Sequence, residues 1–116
     1  MKKTIKFTFD LDCCFTVYVP STVNVNESTD NTEHVNKVMR DMAAMFGGAT
    51  STAAVGCWIA ENGAQVIEHI TKVYSFCTSD QAAANIEKVI GLCEWLKKEM
   101  NQEAISLEYN GQLKFI

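Results

Sequence analysis

Two Asn-Gly dipeptides, Asn62-Gly63 and Asn110-Gly111, each stand between runs rich in β-branched and aromatic residues. A two-residue type I′ turn needs positive φ at both central positions, and Asn followed by Gly meets that need with least strain. Each dipeptide therefore predicts an antiparallel hairpin, residues 50–60 with 65–77 and residues 105–109 with 112–116. A two-residue loop also sets the register of the first hairpin: Glu61 faces Ala64, Ile59 faces Val66, Trp58 faces Ile67, Cys57 faces Glu68 and Gly56 faces His69. Side chains alternate along a strand, so two faces follow. One carries Val55, Cys57, Ile59, Val66, Glu68, Ile70, Lys72, Tyr74 and Phe76. The other carries Thr52, Ala54, Gly56, Trp58, Ile67, His69, Thr71 and Val73.

Two more strands are expected upstream. Ile5, Phe7, Phe9 and Leu11 alternate with Thr4, Lys6, Thr8 and Asp10, the period of a half-buried strand. Phe15, Val17 and Val19 then oppose Cys14, Thr16 and Tyr18, ending near Pro20, which cannot donate to a ladder. Residues 10–13 are read as the connecting turn. Residues 21–32 are polar and read as a loop, in which Asn26-Glu27-Ser28 is formally a glycosylation sequon.

Two helices complete the chain. Asp30 with Glu33 has capping-box spacing, with Thr32 a rival cap, and Val35, Val38, Met39, Met42 and Phe46 recur at helical spacing up to Gly47-Gly48. The methionines Met39, Met42 and Met45 read as core filling. A second helix runs from about Asp80 to Met100, capped by Ser79 or Thr78, with Ala82, Ile86, Val89, Ile90, Cys93, Leu96 and Met100 as its buried stripe. Gly91 inside it suggests a close helix–sheet approach. The order is strand, strand, helix, strand, strand, helix, strand, strand. The expected fold is α+β: a ferredoxin-like βαββαβ core, an antiparallel sheet with two helices on one face, plus an extra N-terminal strand and a C-terminal hairpin.

A chain of 116 residues has room for one hydrophobic core, so a single domain over 1–116 is expected. Hydrophobic residues make up 47% and charged residues 21%, the balance of a globular protein. No apolar run is long enough to span a bilayer, and Met1-Lys2-Lys3 leads into alternation instead of a signal-peptide stretch. A cytoplasmic location is expected. A net charge of −4 disfavours binding driven by phosphate neutralisation, so a nucleic-acid partner is not expected.

The chemistry-bearing residues are sparse. Cys13, Cys14, Cys57, Cys77 and Cys93 form no C-x-x-C pair, and strand geometry sends Cys13 and Cys14 to opposite faces. No metal, cofactor or catalytic constellation is expected. The segment from Phe46 to Thr52 is glycine- and hydroxyl-rich but lacks the Gly-Lys-Ser/Thr ending of a P-loop. Ser51 and Ser75 have no nucleophile elbow around them. In the two-residue register Trp58, Ile67 and Val73 share the open face of the sheet and make an apolar patch for self-association or another protein. Glu68 falls on the core side beside Cys57, where a buried carboxylate would serve as an acid or base, or lies solvated at the strand's end. His69 falls beside Trp58 and lines a pocket or decorates the surface.

The run Phe46-Gly47-Gly48-Ala49-Thr50, then Gly56-Cys57-Trp58, then Gly63 with Glu68, resembles a pattern in small uncharacterised α/β (ferredoxin-like) proteins of bacterial and phage genomes. The resemblance covers residues 15–109. It implies an α/β fold and implies that Trp58 and Glu68 belong together. Small acidic proteins of such genomes include inhibitors of host defence, such as anti-CRISPR proteins.

The leading functional expectation is a non-enzymatic protein-binding module that acts through its open sheet face, as a homodimer or as an inhibitor of a host protein. The alternative is a small enzyme or metabolite-binding domain with a pocket near Glu68 or His69.

Overall fold

The computed structural model describes residues 5–24 and 27–116. Met1-Lys2-Lys3, Thr4 and Asn26 of the sequon lie outside the described residues. The elements are β1 (Cys13–Pro20), β2 (Thr22–Val23), β3 (Glu27–Ser28), α1 (Thr32–Phe46), β4 (Thr50–Ile59), β5 (Gln65–Cys77), α2 (Ser79–Glu99), β6 (Ser106–Tyr109) and β7 (Gln112–Phe115). Five strands form one antiparallel sheet in the order β4-β5-β1-β6-β7, and β2 pairs with β3 as a two-stranded ribbon inside the expected loop.

The sheet buries one face against both helices. Phe15, Val17 and Val19 of β1 join Val73 and Cys77 of β5 and Leu107 of β6 in the core. Opposite them lie Val38, Met42 and Phe46 from α1, and Ala82, Val89, Cys93 and Leu96 from α2. Phe15 is the hinge pin of this packing, stacked on Phe46 at 5.3 Å and on Tyr109 at 4.5 Å between ring centroids. Cys13 is buried on this face and Cys14 points to the other, as alternation requires.

Local signals set the helix ends. Thr78 caps α2 in a full capping box with Gln81. Gly47, at φ 91°, ends α1 with its N–H on the Ala43 carbonyl. The cap residue of α1 is Asn31, which makes no side-chain cap bond, while Asp30 accepts from the Thr32 N–H and hydroxyl just outside the helix. Gly91 marks no close approach: nothing lies within 4 Å of where its Cβ would stand.

Two expectations are corrected here. Residues 5–12 form no strand. The reason is competition for edges: β5 takes one side of β1 and β6 takes the other, so a hairpin between residues 5–11 and β1 has no free edge to use. The second correction concerns the first Asn-Gly loop. Gly63 N–H donates to the Ala60 carbonyl, and Ala60 N–H donates to that of Ala64. Glu61, Asn62 and Gly63 thus form a three-residue loop, with Gly63 alone in positive φ at 84° and Asn62 Oδ1 holding the Ala64 N–H. One extra loop residue slips the register by one: Trp58 pairs with Val66, Cys57 with Ile67, Gly56 with Glu68 and Val55 with His69. The second loop has the expected two residues, Asn110 at φ 50° and Gly111 at φ 81°, between paired Tyr109 and Gln112.

Candidate functional site on the open sheet face

The slip decides which side chains share a face. Counting outward from the buried pair Val17 and Val73, the face turned away from the helices carries Cys14, Thr16 and Tyr18 on β1. It also carries Glu68, Ile70, Lys72, Tyr74 and Phe76 on β5, Gly56 and Trp58 on β4, and Glu108 on β6. Among the described residues no helix covers this face, and its polar groups gather in two places.

The first is the outer half of the β4–β5 hairpin. Trp58 Nε1 donates to Glu68 Oε1 at 3.2 Å, and both side chains are exposed. Gly56 stands opposite Glu68 in the ladder and leaves the floor between them bare of a side chain. An indole ring beside a carboxylate attracts a cation from two sides, the ring face by its quadrupole and the carboxylate by its charge.

The second is a cluster near the middle of the sheet. Tyr18 donates its phenol to Glu108 Oε1. Lys72 Nζ lies 3.9 Å from the same carboxylate oxygen and 5.1 Å from the centroid of the Tyr18 ring. Burial, then the hydrogen bond to Glu108 and its negative charge, push the Tyr18 phenol up to about 12. Cys14 sits near the same cluster, and burial raises its thiol above the ordinary value. Tyr18 and Glu108 were missed in the sequence because they are 90 residues apart and meet only once β1 is known to lie between β5 and β6.

Two clefts of about 410 Å³ each lie elsewhere. One opens at the end of the sheet where α1 turns into β4, lined by Leu11, the Gly47–Thr50 turn and Tyr74 to Phe76. Ser75 holds this turn in place by donating to the Gly48 carbonyl at 2.6 Å. The other lies outside the helices among His34, Lys37, Arg40, Trp95 and Glu99. Its charges are already matched in part, Lys37 by Asp41 at 2.7 Å. Among the described residues no group of three or more His, Cys, Asp or Glu is arranged to hold a metal ion. Among the same residues no helix is long and apolar enough to cross a membrane.

The sequence-predicted residues are sorted differently from expectation. Trp58, Ile67 and Val73 do not form a patch. Val73 is fully buried beneath the helices, and Ile67 lies on the helix side while Trp58 lies on the open side. Glu68 is not on the core side with Cys57 but exposed on the open face with Trp58. His69 is exposed on the opposite face, beside Val55, and its carbonyl accepts from the Ser21 hydroxyl. The pairing of Trp58 with Glu68, implied by the resemblance, is present as a hydrogen bond.

No family model matches the chain, and no curated protein matches it by sequence. Two solved structures share its fold. One is a phage SAM lyase in complex with S-methyl-5′-thioadenosine, 15% identical over 98% of this chain and 95% of that one, with a TM-score of 0.61. The other is a phage SAM lyase in its apo state, 14% identical over the same shares, with a TM-score of 0.62. These likenesses overturn the leading expectation of a non-enzymatic binding module or host-protein inhibitor: the proteins that share this architecture end to end are described as enzymes, and one holds a small ligand.

Proposed function

We propose that this chain is a small enzyme or ligand-binding domain of phage type that takes an S-adenosyl ligand on its open sheet face, with Trp58 and Glu68 holding the ligand's cationic part. The observation that carries the reading is the hydrogen-bonded Trp58–Glu68 pair, exposed and facing away from the core. S-adenosylmethionine offers a sulfonium and an ammonium, and an indole beside a carboxylate suits either cation. The likeness to a phage SAM lyase supports the ligand class. The strand order supports a ferredoxin-like scaffold: without β7 and the β2–β3 ribbon, the chain runs β1-α1-β4-β5-α2-β6 through an antiparallel sheet ordered β4-β5-β1-β6.

Conversion of S-adenosylmethionine to S-methyl-5′-thioadenosine breaks a carbon–sulfur bond: sulfur keeps the electron pair and loses its charge, and the released four-carbon group balances the step by closing its own carboxylate oxygen onto the carbon or by giving up a neighbouring proton. A carboxylate that attracts the sulfonium favours the substrate over this neutral thioether. Glu68 therefore acts as a binding and positioning group, and its contribution to the barrier itself is small. His69 takes no part, since it lies on the other face.

The experiment is incubation of the purified chain with S-adenosylmethionine well below saturation, where release reports kcat/KM and so the binding of the ligand, followed by chromatography for S-methyl-5′-thioadenosine. Release in proportion to protein, strongly reduced in Glu68→Gln at unchanged melting temperature, supports the reading. Equal release by wild type and Glu68→Gln removes Glu68 from the site, and neither release nor binding removes the ligand class.

A further inference from the structure

Among the apolar side chains that lack a cover, which include Phe76, Leu113 and Phe115, two rows match one another. The first is Ile5, Phe7, Phe9 and Leu11, which alternate as a strand would; Ile5 is 72% exposed, and Phe7 and Phe9 are each 73% exposed. Two phenylalanines left this open are costly in water, since full burial of one such side chain is favourable by about 1.5–3 kcal/mol. The second row is on the helix-side face of the outer β4–β5 hairpin, beyond the reach of the helices. Val55 and Ile59 are each 65% exposed there, and Ile67 is 56% exposed.

The two rows cannot cover each other fully within one chain. Residues 5–12 depart from Cys13, which is paired with Cys77 at one end of the sheet, and the hairpin extends past Pro20 and Ile70 at the other. Ile5, eight residues before Cys13, reaches at most about 29 Å, enough for Val55 at about 26 Å but not for Ile67 at about 33 Å, and Phe7 and Phe9, with reaches of about 22 and about 14 Å, meet none of the row. The backbone repeats the mismatch. Residues 5–12 have strand alternation and cannot pair with β1, whose two edges are occupied; the open edges of the sheet are β4 and β7, and of these only β4, ten residues against four, is long enough to take the whole segment. β4 is an edge strand of the sheet, with its outer N–H and C=O groups open to a further strand.

We propose that residues 5–11 form an exchange arm, which adds as a strand to the β4 edge of a second copy of this chain and lays Ile5, Phe7, Phe9 and Leu11 beside that copy's Val55, Ile59 and Ile67. Strand addition supplies the backbone bonds, and the matched apolar rows supply the register. The six residue steps from Ile5 to Leu11 span about 20 Å, enough to overlie the four steps from Val55 to Ile59, about 13 Å. The contact is heterologous, arm to hairpin, so it closes as a reciprocal dimer or as a ring. Trp58 and Glu68 face the other side of the hairpin, and the inference rests on no assignment of ligand.

Sedimentation velocity of the full chain, with Phe7→Asp/Phe9→Asp beside it, is the first test. The wild type is expected at no less than twice the 12.9 kDa chain mass, and the double variant at the mass of one chain with unchanged circular dichroism. The second test is a cross-link. Cys57 is exposed on the same face as Val55 and Ile59, so Phe9→Cys, oxidised with diamide, should join two chains through a disulfide that peptide mapping assigns to positions 9 and 57. A wild type that stays at 12.9 kDa at all concentrations overturns the inference, as does an assembly unchanged by the double variant or a Phe9→Cys chain that forms no cross-link to Cys57.

Discussion

Trp58 and Glu68 lie diagonally across the β4–β5 ladder, with the indole N–H donating to the carboxylate at 3.2 Å on the open face of the sheet. The bond orients both groups and leaves the ring face and the second carboxylate oxygen to meet a ligand. Nothing in the core depends on either side chain, since both are exposed.

Substitutions at this pair should therefore separate binding from stability. Trp58→Ala is expected to weaken a cationic nucleoside ligand by about 5- to 30-fold, the loss of a cation–π contact worth roughly 1–2 kcal/mol. Its unfolding free energy should stay within about 0.5 kcal/mol of wild type, as for other exposed positions. His69→Ala, on the opposite face, should leave the affinity unchanged. Equilibrium binding and urea denaturation on the same three proteins check both halves.

Alkaline titration reads the second cluster. Tyr18 keeps its proton in the folded state up to about 12, above the value near 10 expected of an unfolded chain. The folded pKa is raised, so this contribution to stability is full below pH 10 and is lost as pH rises from 10 to 12. Absorbance at the phenolate band should show a late-titrating tyrosine that Tyr18→Phe removes. An absorbance titration unchanged by Tyr18→Phe would contradict the Tyr18–Glu108 geometry.

Two glycines should respond in opposite directions to alanine. Gly63 sits at φ 84°, which an L side chain adopts only with strain, so Gly63→Ala should destabilise by about 1–2 kcal/mol. Gly91 is an ordinary exposed helical position with free space around it, so Gly91→Ala should stabilise by about 0.8–1 kcal/mol. Urea midpoints at constant slope measure both.

Phe15 carries the largest single packing prediction. It is fully buried and stacks on rings from α1 and from β6, so Phe15→Ala should destabilise by about 3–5 kcal/mol. Calorimetric unfolding is the measurement.

What could be read directly from the sequence was what depends on neighbours along the chain. The alternation of Phe15, Val17 and Val19, the stripe ending at Phe46 and Gly47, and the Thr78 cap each rest on short-range sterics and hydrogen bonds, and each stands in the structure. The failures were of two physical kinds. Residues 5–11 carry a strand's pattern, but pattern does not supply a partner, and β6 reaches β1 from almost 100 residues away. Asn62-Gly63 signals a turn correctly, yet a two-residue and a three-residue loop both accept it. The difference of one residue moved Glu68 from the supposed core to the open face, removed Ile67 and Val73 from the company of Trp58, and made the candidate site. The Tyr18–Lys72–Glu108 cluster was invisible for the same reason as the missing strand, because it is assembled from three strands whose order no local feature encodes.

The central claim is that Trp58 and Glu68 form a site for the cation of an S-adenosyl ligand, and titration calorimetry with S-adenosylmethionine and S-methyl-5′-thioadenosine tests it most directly. Because one ligand carries the positive charge and the other does not, Glu68→Gln should weaken the first by about tenfold or more, a loss of at least 1.4 kcal/mol, and change the second by less than about twofold. A wild type that binds neither ligand, or a Glu68→Gln variant that weakens both equally or neither, would contradict it.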